Sequence, residues 1–344
     1  MKILILSPSN SAVGGVERFC NYLKDVYTDG GHEVDILFKK DSSFLDDFFK
    51  KIGLWSPYIG FVVGNLAKKQ KFDLLITNGS LGWNINNGKI INIQHGTFAA
   101  SADRIDFGNN LLKWFVKKFI WGIFEKIASK NASFAVAVSK ETAEFVRKYY
   151  KNNRVITISN AINFKSFLKK DPIVSRDKFS LPKDKKLILF VGRFEYGKGS
   201  DIIDASLKRF TDNTVLVLAS NVELDNSKTI SLKDVPYNDL PDLYSACDLL
   251  IFPSRHEGAS LALIEAMACE IPFLVTNVGS VSEILEENKI FENWVATLDN
   301  FEEKLLERLS KSEEDHYPER EVAEKLFSYE RFKSGYLSLL DNFK

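Results

Sequence analysis

Short apolar runs alternate with helical patterns along the first half of the chain. Runs of β-branched and aliphatic residues bounded by turn residues are typical of buried strands. They occur at residues 3–7, 33–38, 73–77, 90–94, 134–139 and 155–159. Apolar residues at helical spacing fill most of the gaps between them. The alternation therefore predicts right-handed βαβ units and a mostly parallel sheet that is covered on both faces.

The alternation restarts in the second half of the chain, after a polar stretch punctuated by proline. This stretch, residues 169–186, is the candidate linker between two domains. Further strands are predicted at residues 187–191, 214–219, 248–252 and 272–276, and helices between residues 302 and 344. In those last helices Leu305, Leu306 and Leu309 form one apolar stripe, and Phe332 and Tyr336 belong to another.

Chain length supports two domains, because 344 residues exceed the size at which one hydrophobic core keeps growing. We predict an α/β protein with two Rossmann-like, doubly wound domains that face each other across a cleft. The first covers residues 1–168 and the second residues 169–325, and a C-terminal helix at residues 326–344 packs back on the first. Ligands of such sheets bind outside the carboxyl ends of the strands, so we expect a ligand in the cleft.

Charge and cysteine content exclude several classes of function. Lys plus Arg and Asp plus Glu both total 46, so no basic excess attracts nucleic acid. The three cysteines are far apart and lack the spacing of zinc or redox motifs, and no Asp-x-Asp metal motif is present. The first apolar run is too short for a signal-peptide core, and no run is long enough to span a bilayer. We expect a cytoplasmic protein, attached at most to a membrane face.

The most informative segment runs from Asp248 to Ala268. It predicts a buried strand, a loop that contains Glu257 and Gly258, and a helix that starts near Ser260. The free N–H groups and positive dipole end of a helix start bind a phosphate, and a glycine lets a ligand approach the backbone. Glu257 precedes the helix while Glu265 lies within it, so the two carboxylates can contact different parts of one extended ligand. Taken singly, Glu257 is explained more simply as a helix cap and Glu265 as a solvated side chain.

Taken together, these residues resemble the signature of the retaining family 4 glycosyltransferases of the GT-B fold. The match consists of Pro253-Ser254, Glu257-Gly258 and the Glu-Ala-Met-Ala run that begins at Glu265. In that family the first glutamate contacts the donor sugar and the second the ribose hydroxyls. The resemblance therefore assigns these roles to Glu257 and Glu265, and donor binding also to the segment Gly258, Ala259, Ser260 and Leu261.

Two loops at other strand ends resemble further parts of the same family. Val191-Gly-Arg193 followed by Lys198-Gly199 resembles the diphosphate-binding loop, in which fixed cations neutralise a leaving group. Gly14-Gly15 resembles the glycine loop that approaches the donor phosphates and the acceptor, although a plain turn is the alternative. His95 follows the strand that ends near Ile93, and by resemblance it lies near the donor sugar and helps to stabilise developing positive charge.

Departures from the family pattern concern positions near the donor. Glu270 stands where a small residue or glycine is usual, and the segment from Gly279 to Glu283 carries one glycine where two are common. Tyr244, in a segment familiar from the family, is expected to be only a packed helix end.

The resemblance implies transfer of a sugar from a nucleotide diphosphate donor to an acceptor hydroxyl, with retention and without a metal or other cofactor. UDP is favoured on family frequency, GDP stays open, and a glycan or lipid-linked acceptor is expected. A sugar-nucleotide epimerase or hydrolase and a non-catalytic sugar-nucleotide binding protein are the alternatives.

A basic aromatic segment, which begins at Leu111 and ends at Lys126, predicts either of two roles. It combines Trp114, Phe115 and Trp121 with interspersed lysines, the composition of a helix that lies on an anionic membrane surface. Any helix beside a doubly wound sheet also buries an apolar stripe, so a core helix is the alternative.

Overall fold

The chain forms two compact units. The computed structural model describes residues 1–9, 15–105, 110–310 and 319–343. The first unit comprises Met1–Asn160 together with Glu330–Lys344, and the second comprises Ala161–Tyr329. The predicted change of domain lies at residue 168, and the predicted start of the returning helix lies at residue 326.

The first unit is built on a six-stranded parallel sheet with the order β2-β1-β3-β4-β5-β6. Its strands are β1 Lys2–Leu6, β2 Glu33–Leu37, β3 Leu74–Asn78, β4 Ile90–Gln94, β5 Phe134–Ala137 and β6 Val155–Thr157. Every residue of β3 and β4 is buried, as expected when helices cover both faces of a parallel sheet. The six strands predicted for this half are confirmed.

Helices cover this sheet on both sides. They are α1 Gly15–Asp29, α2 Phe44–Lys51, α3 Trp55–Ala67, α4 Phe98–Arg104, α5 Leu111–Phe115, α6 Gly122–Asn131 and α7 Lys140–Phe145. A π-helical segment, Val116–Trp121, joins α5 to α6, and a second, Val146–Tyr150, follows α7. The Thr97 hydroxyl caps α4 by accepting from the Ala100 N–H at 3.2 Å.

The second unit repeats the architecture with the strand order β12-β11-β10-β7-β8-β9, again all parallel. Its strands are β7 Lys186–Val191, β8 Thr214–Ala219, β9 Thr229–Leu232, β10 Leu249–Phe252, β11 Phe273–Thr276 and β12 Val295–Ala296. Its helices are α8 Pro172–Lys178, α9 Ser200–Leu207, α10 Leu240–Ala246, α11 Leu261–Ala268, α12 Val281–Glu287, α13 Phe301–Ser310 and α14 Glu319–Phe327. The α/β prediction of two doubly wound sheets is confirmed, and β9 and β12 are additional strands.

The candidate linker contains α8 and lies inside the second unit. Asp171 caps α8 by accepting from the Val174 N–H at 2.9 Å. The buried Arg176 then donates to both carboxylate oxygens of Asp248, at 3.1 and 2.9 Å, and to the Ala246 carbonyl oxygen at 2.9 Å. This bidentate ion pair fixes the stretch against the start of β10.

The last helix, α15 Tyr329–Leu339, completes the core of the first unit. Its Phe332 and Tyr336 rings pack edge-on against Phe19 of α1, with centroids 5.7 and 5.9 Å away. Lys333 pairs with Asp29 at 2.8 Å. The apolar stripe predicted for this helix is therefore the buried face.

Candidate functional site

The loop after β10 contains the predicted sugar-binding glutamate. The strand is buried along its whole length, so the chain leaves the sheet only at Pro253. Glu257 lies in this loop and is buried, although a carboxylate without a partner is costly to bury. Its partner is Lys198, whose ammonium group forms an ion pair with the Glu257 carboxylate. The structure thus brings together two of the predicted catalytic residues.

Lys198 belongs to a short 3₁₀ turn, Tyr196–Lys198, in the loop that follows β7. The next residue, Gly199, has φ 81°, and a Cβ placed on it would lie 2.2 Å from the Pro253 carbonyl oxygen. Only glycine allows this close approach of the two loops. Gly199 therefore holds Lys198 within reach of Glu257.

Arg255 connects the same two loops, and this residue was not among the predicted site residues. Its guanidinium donates to both carboxylate oxygens of Asp201, each at 2.8 Å, and to the Tyr196 carbonyl oxygen at 2.7 Å. It also lies 3.8 Å from the centroid of the Tyr196 ring. Its own N–H donates to the Gly197 carbonyl oxygen at 2.9 Å. A planar, bidentate cation of this kind fixes the loop that carries Lys198.

Buried hydroxyl groups without protein partners surround the start of α11. Within residues 1–9, 15–105, 110–310 and 319–343, no group forms a hydrogen bond with the hydroxyls of Ser254, Ser260 or Ser280. A Cβ placed on Gly279 would lie 3.3 Å from the Ser260 hydroxyl and 2.9 Å from the Glu257 Cβ, so these residues are close neighbours. Buried polar groups without a protein partner bind a ligand or water. Ser254 and Ser280 were not predicted as site residues.

Glu265 lies in α11 and is buried rather than solvated. The Tyr244 hydroxyl donates to its carboxylate at 2.8 Å. Burial, followed by the charge of Glu265, raises the pKa of Tyr244 well above its ordinary value, so the tyrosine stays a donor. Tyr244, expected only to pack a helix end, also orients the predicted ribose-binding carboxylate.

The remaining predicted residues of the second unit lie nearby in the chain. Arg193 is exposed and pairs with Glu195 at 3.2 Å. Gly258, Ala259 and Leu261 belong to the loop and first turn of α11, where the Leu261 N–H donates to the Ala259 carbonyl oxygen at 2.9 Å.

In the first unit, Gly15 begins α1, whereas Gly14 lies outside the described residues. His95 follows β4 directly. Its Nε2 is 2.8 Å from Oδ1 of Asn78, and its ring packs edge-on against Phe19 at 4.8 Å. Burial lowers the pKa of His95 to about 4, so the ring is neutral at pH 7.

Across the described ranges, no three His, Cys, Asp or Glu side chains are grouped so that they could hold a metal ion. The helices in the same ranges include none with both the length and the apolar character to cross a bilayer. The Lys198 and Glu257 pair and the serine hydroxyls provide charge and hydrogen bonds for a polar, anionic ligand.

Two family models match the chain. The model described as "Glycosyltransferase Family 4" matches residues 13–166, and "Glycosyl transferases group 1" matches residues 173–325. An uncharacterised glycosyltransferase of Methanocaldococcus jannaschii is 26% identical over 91% of this chain and 90% of its own length. The O-antigen chain mannosyltransferase of Salmonella typhimurium is 22% identical over 75% of this chain and 79% of its own length.

Solved structures share the fold of the whole chain. The sucrose-phosphate synthase of Thermosynechococcus elongatus superposes with a TM-score of 0.78 at 17% identity, over 99% of this chain and 98% of its own. HepE of Anabaena, solved in complex with UDP-glucose, superposes with a TM-score of 0.70 at 16% identity, over 99% of this chain and all of its own.

Proposed function

The chain belongs to the glycosyl transferases group 1, with the two parallel sheets of the GT-B fold, and we propose that it is a retaining UDP-sugar transferase. The sugar is transferred from the donor to an acceptor hydroxyl in the synthesis of a cell-surface glycan or glycolipid, and UDP is released. GDP is the second candidate nucleotide.

One observation carries the proposal. The Lys198 and Glu257 ion pair lies beside the start of α11, where the buried Ser260 hydroxyl has no hydrogen-bond partner among the described residues. A cation, a helix start and a free hydroxyl together form a good site for a diphosphate, because each stabilises negative charge. When the glycosidic bond breaks, the electron pair goes to the diphosphate, and the same groups stabilise that leaving group.

The two glutamates take separate roles in this proposal. Glu257 accepts hydrogen bonds from hydroxyls of the transferred sugar, and Glu265, held by Tyr244, accepts from the ribose hydroxyls. Arg193 adds a second cation to the diphosphate; its side chain is exposed and pairs with Glu195 at 3.2 Å. We propose that no metal is required, since Lys198, Arg193 and the helix start supply the positive charge.

Two relatives support the choice of donor and pathway. HepE was solved with UDP-glucose, and the Salmonella relative is a mannosyltransferase of O-antigen chains. The first favours UDP as the nucleotide of the proposed donor, and the second favours a cell-surface glycan as the proposed product.

The first test separates nucleotide binding from turnover. We expect Glu265→Ala to weaken binding of UDP in calorimetry, whereas Glu257→Ala lowers turnover and leaves UDP binding nearly unchanged. Glu303→Ala, an exposed glutamate on α13, is the matched control and should change neither quantity. The assignment would be contradicted if Glu265→Ala bound UDP as tightly as wild type does and also bound GDP as tightly as wild type does.

A second test concerns the reaction itself. Incubation of the protein with UDP-sugars and hydroxyl acceptors should give a glycoside with the anomeric configuration of the donor, visible by NMR. A rearranged sugar nucleotide without an acceptor would favour the epimerase alternative, and free sugar would favour the hydrolase. Binding without any turnover would favour a non-catalytic protein.

We also propose that the first unit attaches to an anionic membrane surface. In the helix that runs through α5, the π segment and α6, the side chains of Leu111, Phe115, Phe119 and Ile123 are exposed at intervals of four residues. Trp121 on the same helix turns inward and donates to the Gly53 carbonyl oxygen at 2.7 Å. The helix therefore has one face in the unit and one apolar face outside it, and the side chain of Lys113 in α5 is also exposed.

Liposome co-sedimentation tests this attachment. Wild type should pellet with anionic vesicles at low salt, and the double variant Phe115→Ser with Phe119→Ser should pellet much less. The matched control changes two exposed apolar residues of the second unit, Ile173→Ser with Val174→Ser, and should pellet like wild type. Absence of wild-type protein from the pellet would contradict the membrane proposal.

A further inference from the structure

We propose that Asn78 is a positioning residue that keeps the proton of His95 on Nε2, so that Nδ1 accepts a hydrogen bond from a hydroxyl of the transferred sugar. The tautomer follows from contacts inside the first unit. The identity of the hydroxyl rests on the proposed function.

The orientation of the Asn78 amide is fixed by its neighbours. Asn78 is the last residue of β3 and is buried. Its Nδ2 is 2.7 Å from the carbonyl oxygen of Leu6 and 3.3 Å from Sγ of Cys20. A backbone carbonyl oxygen can only accept, so the group that faces it must be the NH₂. The amide oxygen Oδ1 therefore faces the opposite side, towards His95.

The amide oxygen then determines the tautomer of the imidazole. Oδ1 can only accept, and it lies 2.8 Å from Nε2 of His95, so Nε2 carries the hydrogen that completes the bond. The ring is neutral at pH 7, because burial lowers the pKa of His95 to about 4 and no charged group of the described residues contributes. A neutral imidazole with its proton on Nε2 has a lone pair on Nδ1.

Nδ1 is available to a ligand. Among the residues that the structure describes, none forms a hydrogen bond with it, and the ring is held on another side by Phe19 of α1. His95 as a residue is half-buried, and its Nδ1 is not among the fully buried polar atoms that lack a hydrogen-bond partner. An acceptor at this position suits a hydroxyl group, which keeps its own proton when it donates.

A neutral acceptor also suits the reaction proposed for this protein. The anomeric carbon gains positive charge as the leaving group departs, and an imidazolium ion nearby would oppose that change. A ring held neutral, with a lone pair directed at a sugar hydroxyl, orients the sugar without adding positive charge. Asn78 contributes by its contact with His95, not with the sugar.

Nitrogen NMR of the histidine side chains tests the tautomer without any need for activity. The chain has four histidines, so uniform ¹⁵N-histidine labelling gives a small spectrum, and His95→Gln assigns the signal that disappears. At pH 7 we expect the His95 signals of the Nε2-protonated neutral tautomer. Signals of the Nδ1-protonated form, or of a charged ring, would overturn the proposal.

Variants then test the part played by Asn78. One neutral hydrogen bond shifts an equilibrium by about two- to tenfold, so Asn78→Ala should shift the tautomer ratio towards Nδ1–H by about that factor. Asn78→Asp should keep the wild-type tautomer and raise the His95 pKa, because a carboxylate favours the charged ring. The control Asn92→Ala removes another buried amide of the same sheet, which donates to Thr77 at 2.8 Å, and should leave His95 unchanged.

The kinetic readout distinguishes positioning from a general loss of structure. In Asn78→Ala we expect kcat to fall by about two- to tenfold with KM for the donor sugar nucleotide unchanged. An unaltered tautomer ratio in Asn78→Ala, or no rise of the His95 pKa in Asn78→Asp, would overturn the role of Asn78. The NMR result decides the tautomer even if the protein transfers no sugar, so failure of the proposed function is seen separately.

Discussion

Titration of the buried Glu125 carboxyl should make the stability of the first unit depend on pH. This carboxyl lies in α6 and is buried, with the Phe98 N–H donating to it at 2.9 Å and the Tyr150 hydroxyl bonded to it. Burial raises the pKa of Glu125 to about 7, although both donors oppose the increase. The perturbation we propose is Glu125→Gln, which keeps the shape and the acceptor oxygen and removes the titration.

The sign and size of the effect follow from the two pKa values. The unfolded carboxyl titrates near pH 4.5 and the folded one near pH 7, so between these values the folded state binds more protons. Glu125 thus contributes stability that is full below about pH 4.5 and is lost as pH rises through about 7. A difference of about 2.5 pKa units corresponds to roughly 3 kcal/mol. For a unit of this size, that free-energy difference corresponds to a change of about 6–12 °C in Tm.

Thermal unfolding followed by circular dichroism between pH 5 and pH 8 provides the measurement. The Tm of wild type should fall relative to that of Glu125→Gln as pH rises, and the comparison at each pH cancels other titrating groups. His95, with its lowered pKa, acts in the opposite direction, and Glu319, with a pKa raised by burial to about 7, acts in the same direction. Parallel curves for wild type and Glu125→Gln would refute the reasoning.

Three further predictions concern the second unit. Lys198→Ala should lower turnover by about 10²–10³-fold, because a fixed donor at developing negative charge is lost; steady-state kinetics with less than a tenfold change would contradict its role. Turnover should persist in excess EDTA, and a loss that a divalent ion restores would contradict the metal-free mechanism. Glu270→Gly should raise the free energy of unfolding by about 1 kcal/mol, because Glu270 has φ 55° at the end of α11; an unchanged urea midpoint would refute this.

Most of the fold could be predicted from the sequence because buried parallel strands have a strong apolar signal. The missed strands lack it. Thr229–Leu232 is only half-buried at one edge, and Val295–Ala296 is two residues long at the other. The helix α8 was missed for a different reason. Its signal, an Asp171 cap followed by Pro172, was present, but the prolines of this stretch were taken as features of a linker.

The site was predictable where a motif spans consecutive residues and not where the chain folds distant residues together. Glu257 and Lys198 are identified by motifs, and the structure pairs them. Arg255, in contrast, fixes the Lys198 loop through Asp201, a contact between residues 54 positions apart. Asn78 reaches His95 from the neighbouring strand. Neither residue type nor spacing in the sequence distinguishes such partners from ordinary polar residues of loops and strands.

The return of α15 to the first unit affects the order in which the protein can fold during synthesis. A ribosome makes residues 161–329 after the six strands and the helices α1–α7 of that unit but before α15. Until α15 emerges, Phe19 lacks the Phe332 and Tyr336 rings that cover it. The second unit can therefore complete its core first, even though its residues come later in the chain. A chain stopped at residue 329 would leave the first unit with an uncovered apolar surface, a common cause of aggregation and degradation.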